Sequence, residues 1–387
     1  MEYEQNMITK DWDDNTLNLS KNILRGIYAY GFETPSAIQS VSIPYISQGK
    51  DIIAVANSGT GKTGSYLIGV FSHINEALNK LQCVILSPTR ELALQIYKVA
   101  QELAKYTTIK LQLLVGGTDT QNDIVNIKNT TPHVVVGCTG RIYDIFTRDI
   151  LDTLFTKMLV LDEADEMLST GFHVYVQNIF KYLPIDVQVI LFSATMTDNV
   201  LSLTKQFMHN PVHINLNHEV LSFHEIQQYK VISRNDCEKY TILKDVFNTI
   251  CFSQCIIYCN HVVRVCDLYE AMKDDEFSVT YIHSNMTKTE RNDKFVSFIN
   301  GDDRILISTN LTARGIDIQQ VSTVINFDLP KTKETYVHRI GRSGRWGRKG
   351  LSISFCTMRE IQFMKQIEEA YEIDIPDLPT DLNAYFV

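Results

Sequence analysis

Nine consecutive residues, Val55-Ala56-Asn57-Ser58-Gly59-Thr60-Gly61-Lys62-Thr63, combine the groups needed to hold a polyphosphate. Glycines let successive backbone N–H groups turn inward toward an anion, and a helix beginning behind them adds the positive end of its dipole. Lys62 is spaced to reach the β- and γ-phosphates, and the Thr63 hydroxyl to sit on Mg2+. The generic pattern opens on glycine, whereas Ala56 stands at that position here. Further along, the apolar run 157–161 ends in Asp162-Glu163-Ala164-Asp165. An acid closing a buried strand is the expected partner of a phosphate cradle: Asp162 would hold Mg2+ through water, and Glu163 would orient or deprotonate an attacking water.

Such groups must be held at the ends of strands, and the chain supplies them in a regular arrangement. Short β-branched runs at 51–56, 82–87, 111–115, 133–137, 158–161 and 187–192 are each followed by small and polar residues and then a helix-like stretch. Unbroken apolar runs of this length suit strands buried on both faces of a parallel sheet, and open α/β sheets place ligands at the carboxyl ends of such strands. The pattern lapses into a polar stretch at 210–228 with a last short run at 212–215, then resumes at 255–259, 279–283, 304–309, 323–327 and 352–355. The spacing therefore predicts two similar α/β sheets in tandem: a leader at 1–18, a first domain at 19–215, a linker at 216–228 and a second domain at 229–387. A helix is predicted over 19–30, where Ile23, Leu24, Ile27 and Tyr28 share one face and Gly31 provides the stop. In the leader, Trp12 is expected to pack on the first domain.

The 387 residues suit two cores of about 190 residues each. A hydrophobic content of 44% with 21% charged residues describes a globular chain. No apolar run approaches the roughly 18 residues that span a bilayer, and the acidic start Met1-Glu2-Tyr3-Glu4-Gln5 lacks the features of a secretory signal, so an intracellular protein without membrane contact is expected. Eight cysteines then read as reduced core thiols. Cys251, Cys255, Cys259 and Cys266, with His261 beside them, are spaced x3, x3, x6, which does not match the paired knuckles of zinc sites. A net charge of −9 argues against a protein that coats nucleic acid indiscriminately, but 331–350 carries seven basic residues against one acid, Glu334.

Further stretches bring these readings to a family. Gly31-Phe32-Glu33-Thr34-Pro35-Ser36-Ala37-Ile38-Gln39 precedes the cradle; Pro88-Thr89-Arg90-Glu91-Leu92-Ala93 and Ser193-Ala194-Thr195 follow it. The second half holds Ala313-Arg314-Gly315-Ile316-Asp317 and His338-Arg339-Ile340-Gly341-Arg342-Ser343-Gly344-Arg345. With the cradle and the acidic run, and in this order, they make the chain resemble the DEAD-box ATP-dependent RNA helicases from about residue 12 to 380. Within that family, 25–33 and the lack of additional domains most resemble the branch serving translation initiation.

The resemblance implies two RecA-like domains, each a mostly parallel sheet flanked by helices, that close around ATP and RNA. It implies that Gln39 reads the adenine edge with Phe32 and Thr34 beside it, and that Ser58, Gly59, Thr60, Gly61, Lys62 and Thr63 hold the phosphates. Asp317 would touch the ribose, and Arg342 and Arg345 would meet the γ-phosphate from the second domain. Asp165, Ser193, Thr195 and His338 would couple hydrolysis to closure. Thr89, Arg90, Gly116, Gly117, Gly140, Arg141, Asn260, Thr309 and Gly315 resemble contacts to an RNA backbone, which carry little base information. Local, non-processive unwinding by a monomer follows, with regulatory proteins as further partners. An ATP-gated clamp that holds RNA and hydrolyses slowly would use the same motifs, and a DNA-directed ATPase with related domains is a further alternative. The chain departs from the family pattern at Cys138-Thr139 in place of Thr-Pro, at Asn310 in place of Asp, at Ser284-Asn285 in place of Gly-Asp, and at Trp12, Asn57 and Lys288.

Overall fold

The computed structural model describes residues 9–56, 59–169, 171–216, 226–250, 252–312, 320–343 and 350–379. They form two compact units dividing between Val220 and Leu221. The expected leader is described from residue 9 onward, and most of the expected linker, 217–225, lies outside the described residues.

In the first unit, β1 (Ile52–Val55), β2 (Cys83–Ser87), β3 (Leu111–Leu114), β4 (Val134–Cys138), β5 (Met158–Asp162), β6 (Gln188–Ser193) and β7 (Val212–Asn215) form one parallel sheet in the order β3-β4-β2-β5-β6-β1-β7. The central strands are buried throughout because helices cover both faces, and alternate residues feed opposite cores. In β1, Ile52 and Ala54 join the cluster containing Ile38, Tyr66 and Ile190, while Ile53 and Val55 join the one containing Leu86, Leu161 and Leu191. Register then aligns the carboxyl ends: Ala54 pairs with Phe192, which pairs with Asp162, and the Ala56 N–H donates to Ser193 O at 3.2 Å. The cradle and the acidic run are therefore neighbours because β1, β6 and β5 lie side by side.

The helix Lys21–Tyr30 starts at Ser20, whose hydroxyl accepts from Ile23 N, and stops at Gly31, whose φ of 95° lies where only glycine is unstrained. Trp12 is buried and stacks on Phe32, with ring centroids 6.2 Å apart, so it packs on the first unit.

In the second unit, β8 (Ile226–Ile232), β9 (Gln254–Tyr258), β10 (Val279–Ile282), β11 (Ile305–Ser308), β12 (Val321–Asn326) and β13 (Gly350–Cys356) form a parallel sheet in the order β10-β11-β9-β12-β13-β8. β8 is the element the sequence pattern missed, since residues 226–228 of the expected linker are its first turn of ladder. It sits at the sheet edge, where Gln227, Tyr229 and Lys230 can stay partly in water. Its outer edge pairs with the chain end, Lys230 N to Pro376 O at 2.9 Å and Leu378 N to Lys230 O at 2.8 Å.

Candidate functional site

At the carboxyl end of β1 the chain turns through Gly59 (φ 80°) and Gly61 (φ 98°) into the helix Lys62–His73. Both glycines adopt left-handed backbone that a side chain would strain. Lys62 is buried and donates from Nζ to Ala56 O at 2.9 Å, so its ammonium lies at the carboxyl end of β1. Asn57 and Ser58 lie outside the described residues.

One helical turn beyond Lys62, the Tyr66 hydroxyl donates to Asp162 Oδ2 at 2.9 Å and also meets the Thr63 hydroxyl. Lys62, Thr63, Tyr66 and Asp162 therefore converge between two strand ends. Asp162 is 3% exposed, and burial raises its carboxyl from the usual 3.8 to about 6, with Lys62 opposing the rise and Glu163 adding to it. A buried carboxylate short of compensating charge, beside a threonine hydroxyl and a cradle of amides, fits a divalent cation carried by a phosphate chain. Glu163 follows with φ at 51°, an uncommon backbone for a non-glycine residue, and its N–H turns back to Asp162 Oδ1 at 3.0 Å. Such local strain is a recurring feature of catalytic turns. Asp165 accepts from the Thr195 hydroxyl at 2.8 Å, and the Ser193 hydroxyl donates to Thr195 O at 2.7 Å, so the expected coupling residues of this unit meet at the ends of β5 and β6.

The cradle is also held from behind. The Ser36 hydroxyl donates to Thr60 O at 2.7 Å, Gln39 Nε2 donates to Gly61 O at 3.2 Å, and Gln39 Oε1 accepts from Ser36 N at 2.8 Å. Gln39, expected at the adenine, is thus placed on the phosphate loop. Phe32 packs against Gly64 and Thr34 is exposed nearby in sequence. Gly64 has a reason to lack a side chain: a Cβ there would lie 2.7 Å from Gln39 Nε2 and 2.8 Å from the Phe32 ring.

A second group forms at the ends of β2, β3 and β4. Thr89 caps the helix Arg90–Leu103 by accepting from Leu92 N, and Arg90 donates to Gly116 O at 2.8 Å. Gly117 has φ at 88°, and Gly116 and Gly140 face open space. Arg141 donates to Thr118 O at 3.0 Å and pairs with Asp123, so its guanidinium positions the 116–119 turn. Thr89, Arg90, Gly116, Gly117, Gly140 and Arg141 are brought together at the carboxyl ends of these three strands. Thr139, where the family has proline, is buried at the start of the helix Thr139–Thr147.

In the second unit the organising residue is Arg339, fully buried in the helix Lys333–Ile340. It donates to Asn310 Oδ1 at 2.6 and 2.8 Å, to Asn260 Oδ1 at 2.9 Å, to Asn326 Oδ1 at 3.2 Å and to Asp328 O at 2.7 Å. Every one of these acceptors is a neutral carbonyl or amide oxygen, and burial lowers Arg339 to about 10. Asn260, expected to contact RNA, has its amide engaged on both sides, since Nδ2 donates to Leu329 O at 2.7 Å. Thr309 follows β11 and precedes the single turn Asn310–Thr312. His338 and Arg342 are buried on the same helical stretch, Arg342 Nε donating to His338 O at 3.2 Å. Gly315, Asp317 and Arg345 lie outside the described residues.

Three functional side chains escaped the sequence reading. Ser36 carried a signal in its Ser-x-x-Gln spacing, which marks a helix start. Tyr66 had only its position four residues after Lys62, and Arg339 had only its place in a basic run.

Known proteins match this chain in sequence and in fold. Residues 36–203 match the DEAD/DEAH box helicase family and residues 238–347 the helicase conserved C-terminal domain. The chain is similar to the ATP-dependent RNA helicase eIF4A of Scheffersomyces stipitis, 43% identical over 390 residues that cover 100% of this chain and 98% of the relative. It is similar to the ATP-dependent RNA helicase FAL1 of Eremothecium gossypii, 45% identical over 371 residues covering 95% and 93%. Among solved structures, S. cerevisiae Dbp5 bound to RNA and ADP BeF3 superposes with a TM-score of 0.89 at 33% identity, covering 96% of each chain.

Proposed function

The chain belongs to the DEAD-box family and is an ATP-dependent RNA helicase, and from that premise we propose which of its residues do the work. Glu163 is the base that orients and deprotonates the attacking water, at a turn where its backbone φ is 51°. Lys62 leaves Ala56 O for the β- and γ-phosphates, and the amides around Gly59, Thr60 and Gly61 receive the remaining oxygens. Thr63 and Asp162 hold Mg2+, which when bound offsets charge on the phosphate oxygens. Gln39, Phe32 and Thr34 receive the base, Ser58 a phosphate, and Asp317 the ribose. Arg342 and Arg345 complete the γ-phosphate site from the second domain, and His338, Asp165, Ser193 and Thr195 couple it to closure.

RNA runs along Thr89, Arg90, Gly116, Gly117, Gly140 and Arg141 of the first domain and Thr309 and Gly315 of the second, read through its backbone. Asn260 joins that edge: with Nδ2 on Leu329 O and Oδ1 held by Arg339, its amide keeps one N–H and one oxygen lone pair to offer. Closure on a bent single strand opens a few base pairs, and loss of phosphate releases them. The first domain runs 19–215 and the second runs from residue 226, where β8 begins, and the molecule works as a monomer with protein regulators, in the cytoplasm, during translation.

The observation that carries this reading is the convergence of Lys62, Thr63, Asp162 and Glu163 at the carboxyl ends of β1 and β5, on either side of β6. Lys62→Ala and Glu163→Gln are expected to cut RNA-stimulated ATP turnover by orders of magnitude. Near-normal hydrolysis in both variants would refute the assignment.

A further inference from the structure

The second unit holds a thiol–imidazole pair outside the sites above. Cys266, on the helix Val262–Asp274, places Sγ 3.7 Å from Nε2 of His283, which follows β10 directly. His283 is 9% exposed, and its other ring nitrogen, Nδ1, is buried without a hydrogen-bond partner. The ring is held by packing: its centroid lies 5.5 Å from that of Tyr281, which packs on Tyr269 at 4.3 Å, and Lys294 Nζ stands 4.1 Å above Tyr281. The imidazole is thus fixed with one nitrogen toward the sulfur. Burial lowers the affinity of His283 for a proton, with its own backbone and Glu290 acting against this and Lys294 with it, so the ring is held toward its neutral form.

Cys266 is also open to reagents. Cys83, Cys255, Cys259 and Cys356 are buried, whereas Cys266 is partly exposed. Cys138 is partly exposed too, but burial of its thiol pushes it up to about 12. Cys237 is exposed. A thiol reacts as thiolate, so access together with a positioned proton acceptor defines a reactive cysteine.

We propose that Cys266, with His283 as its base, is the thiol, among the described cysteines, through which the folded protein reacts with peroxides and soft carbon electrophiles. With hydrogen peroxide, Sγ attacks one oxygen and the O–O bond breaks. The thiol proton passes to Nε2 and on to the departing hydroxide, leaving a sulfenic acid, water and a neutral imidazole. The added oxygen occupies the space between Sγ and Nε2. It therefore displaces the ring at the start of a turn that is closed by Met286 N donating to His283 O at 3.3 Å and by His283 N donating to Met286 Sδ at 3.4 Å.

The test is pulsed labelling of the intact native protein with iodoacetamide, read cysteine by cysteine from peptide masses. Cys266 is expected to label faster than the more exposed Cys237, and the two are expected to label alike in denaturant. His283→Gln is expected to slow Cys266 by about tenfold while leaving Cys237 unchanged. Native Cys266 labelling no faster than Cys237, or a folded His283→Gln protein in which Cys266 keeps its rate, overturns the proposal. If the Gln variant does not fold, the native comparison with Cys237 decides alone.

Discussion

Replacing Asp162 with Asn should abolish ATP turnover and yet make the nucleotide-free first unit more stable. The Asp162 carboxyl is fully buried and sits at about 6 in the fold against a usual 3.8, chiefly through burial. The folded state therefore binds this proton more tightly than the unfolded state. Stability supplied by the protonated form is complete below the usual carboxylate value and is lost as the pH rises through about 6. Relative to a neutral side chain, the charged carboxylate costs about 3 kcal/mol at pH 8, about 2 kcal/mol at pH 5.5 and about 1 kcal/mol at pH 4.5. Asn can keep both contacts, since its oxygen can accept from Glu163 N while its NH2 donates to the Tyr66 hydroxyl, which accepts as readily as it donates. The assay is thermal unfolding without nucleotide or Mg2+, in a Trp346→Phe background that leaves buried Trp12 as the reporter of the first unit. Asp162→Asn should raise the midpoint by roughly 6–12 °C at pH 8, with the gain shrinking as the pH falls. An equal or lower midpoint at pH 8, or a gain independent of pH, would refute the claim that this carboxylate is held against its own desolvation.

Two further substitutions probe the supports of the sites. Gly64→Ala puts a methyl group 2.7 Å from Gln39 Nε2 and 2.8 Å from the Phe32 ring, both ends of side chains that can swing aside. The fold should hold while the Gln39 contact to Gly61 is lost, raising KM for ATP about tenfold with kcat little changed; an unaltered KM would remove Gln39 from the binding site. Asn310→Asp places a carboxylate against the buried Arg339 guanidinium, which now donates to neutral oxygens. The second unit should gain about 1–3 kcal/mol at pH 7, measured by hydrogen exchange of β9 and β11 amides. The new carboxyl would be held below its usual range, so the gain should vanish as the pH falls through that depressed value, and a loss at pH 7 would show that the site is built for a neutral partner.

Much of this could be read from the chain because the strands are buried on both faces. Runs such as 83–86 and 158–161 are apolar throughout, and the candidate site residues follow directly after them. β8 was hidden for the opposite reason: an edge strand keeps Gln227, Gln228 and Lys230, so its composition resembles a linker. Gln39, Tyr66, Asn260 and Arg339 show a different limit. Their partners, Gly61, Asp162, Leu329 and Asn310, are set by which strands and helices lie side by side, and local spacing contains no record of that. Asn310 stood out only as a missing acid, whereas its oxygen is an anchor for a buried cation.

The central claim is that ATP hydrolysis needs groups from both units at once. It is tested most directly by the steady-state ATPase rate of the intact chain with and without single-stranded RNA, wild type beside Arg342→Ala. RNA should stimulate the wild type, and Arg342→Ala should lose about a thousandfold of the stimulated rate while still binding nucleotide through the first unit. An Arg342→Ala protein that hydrolyses ATP at the wild-type stimulated rate would contradict the account.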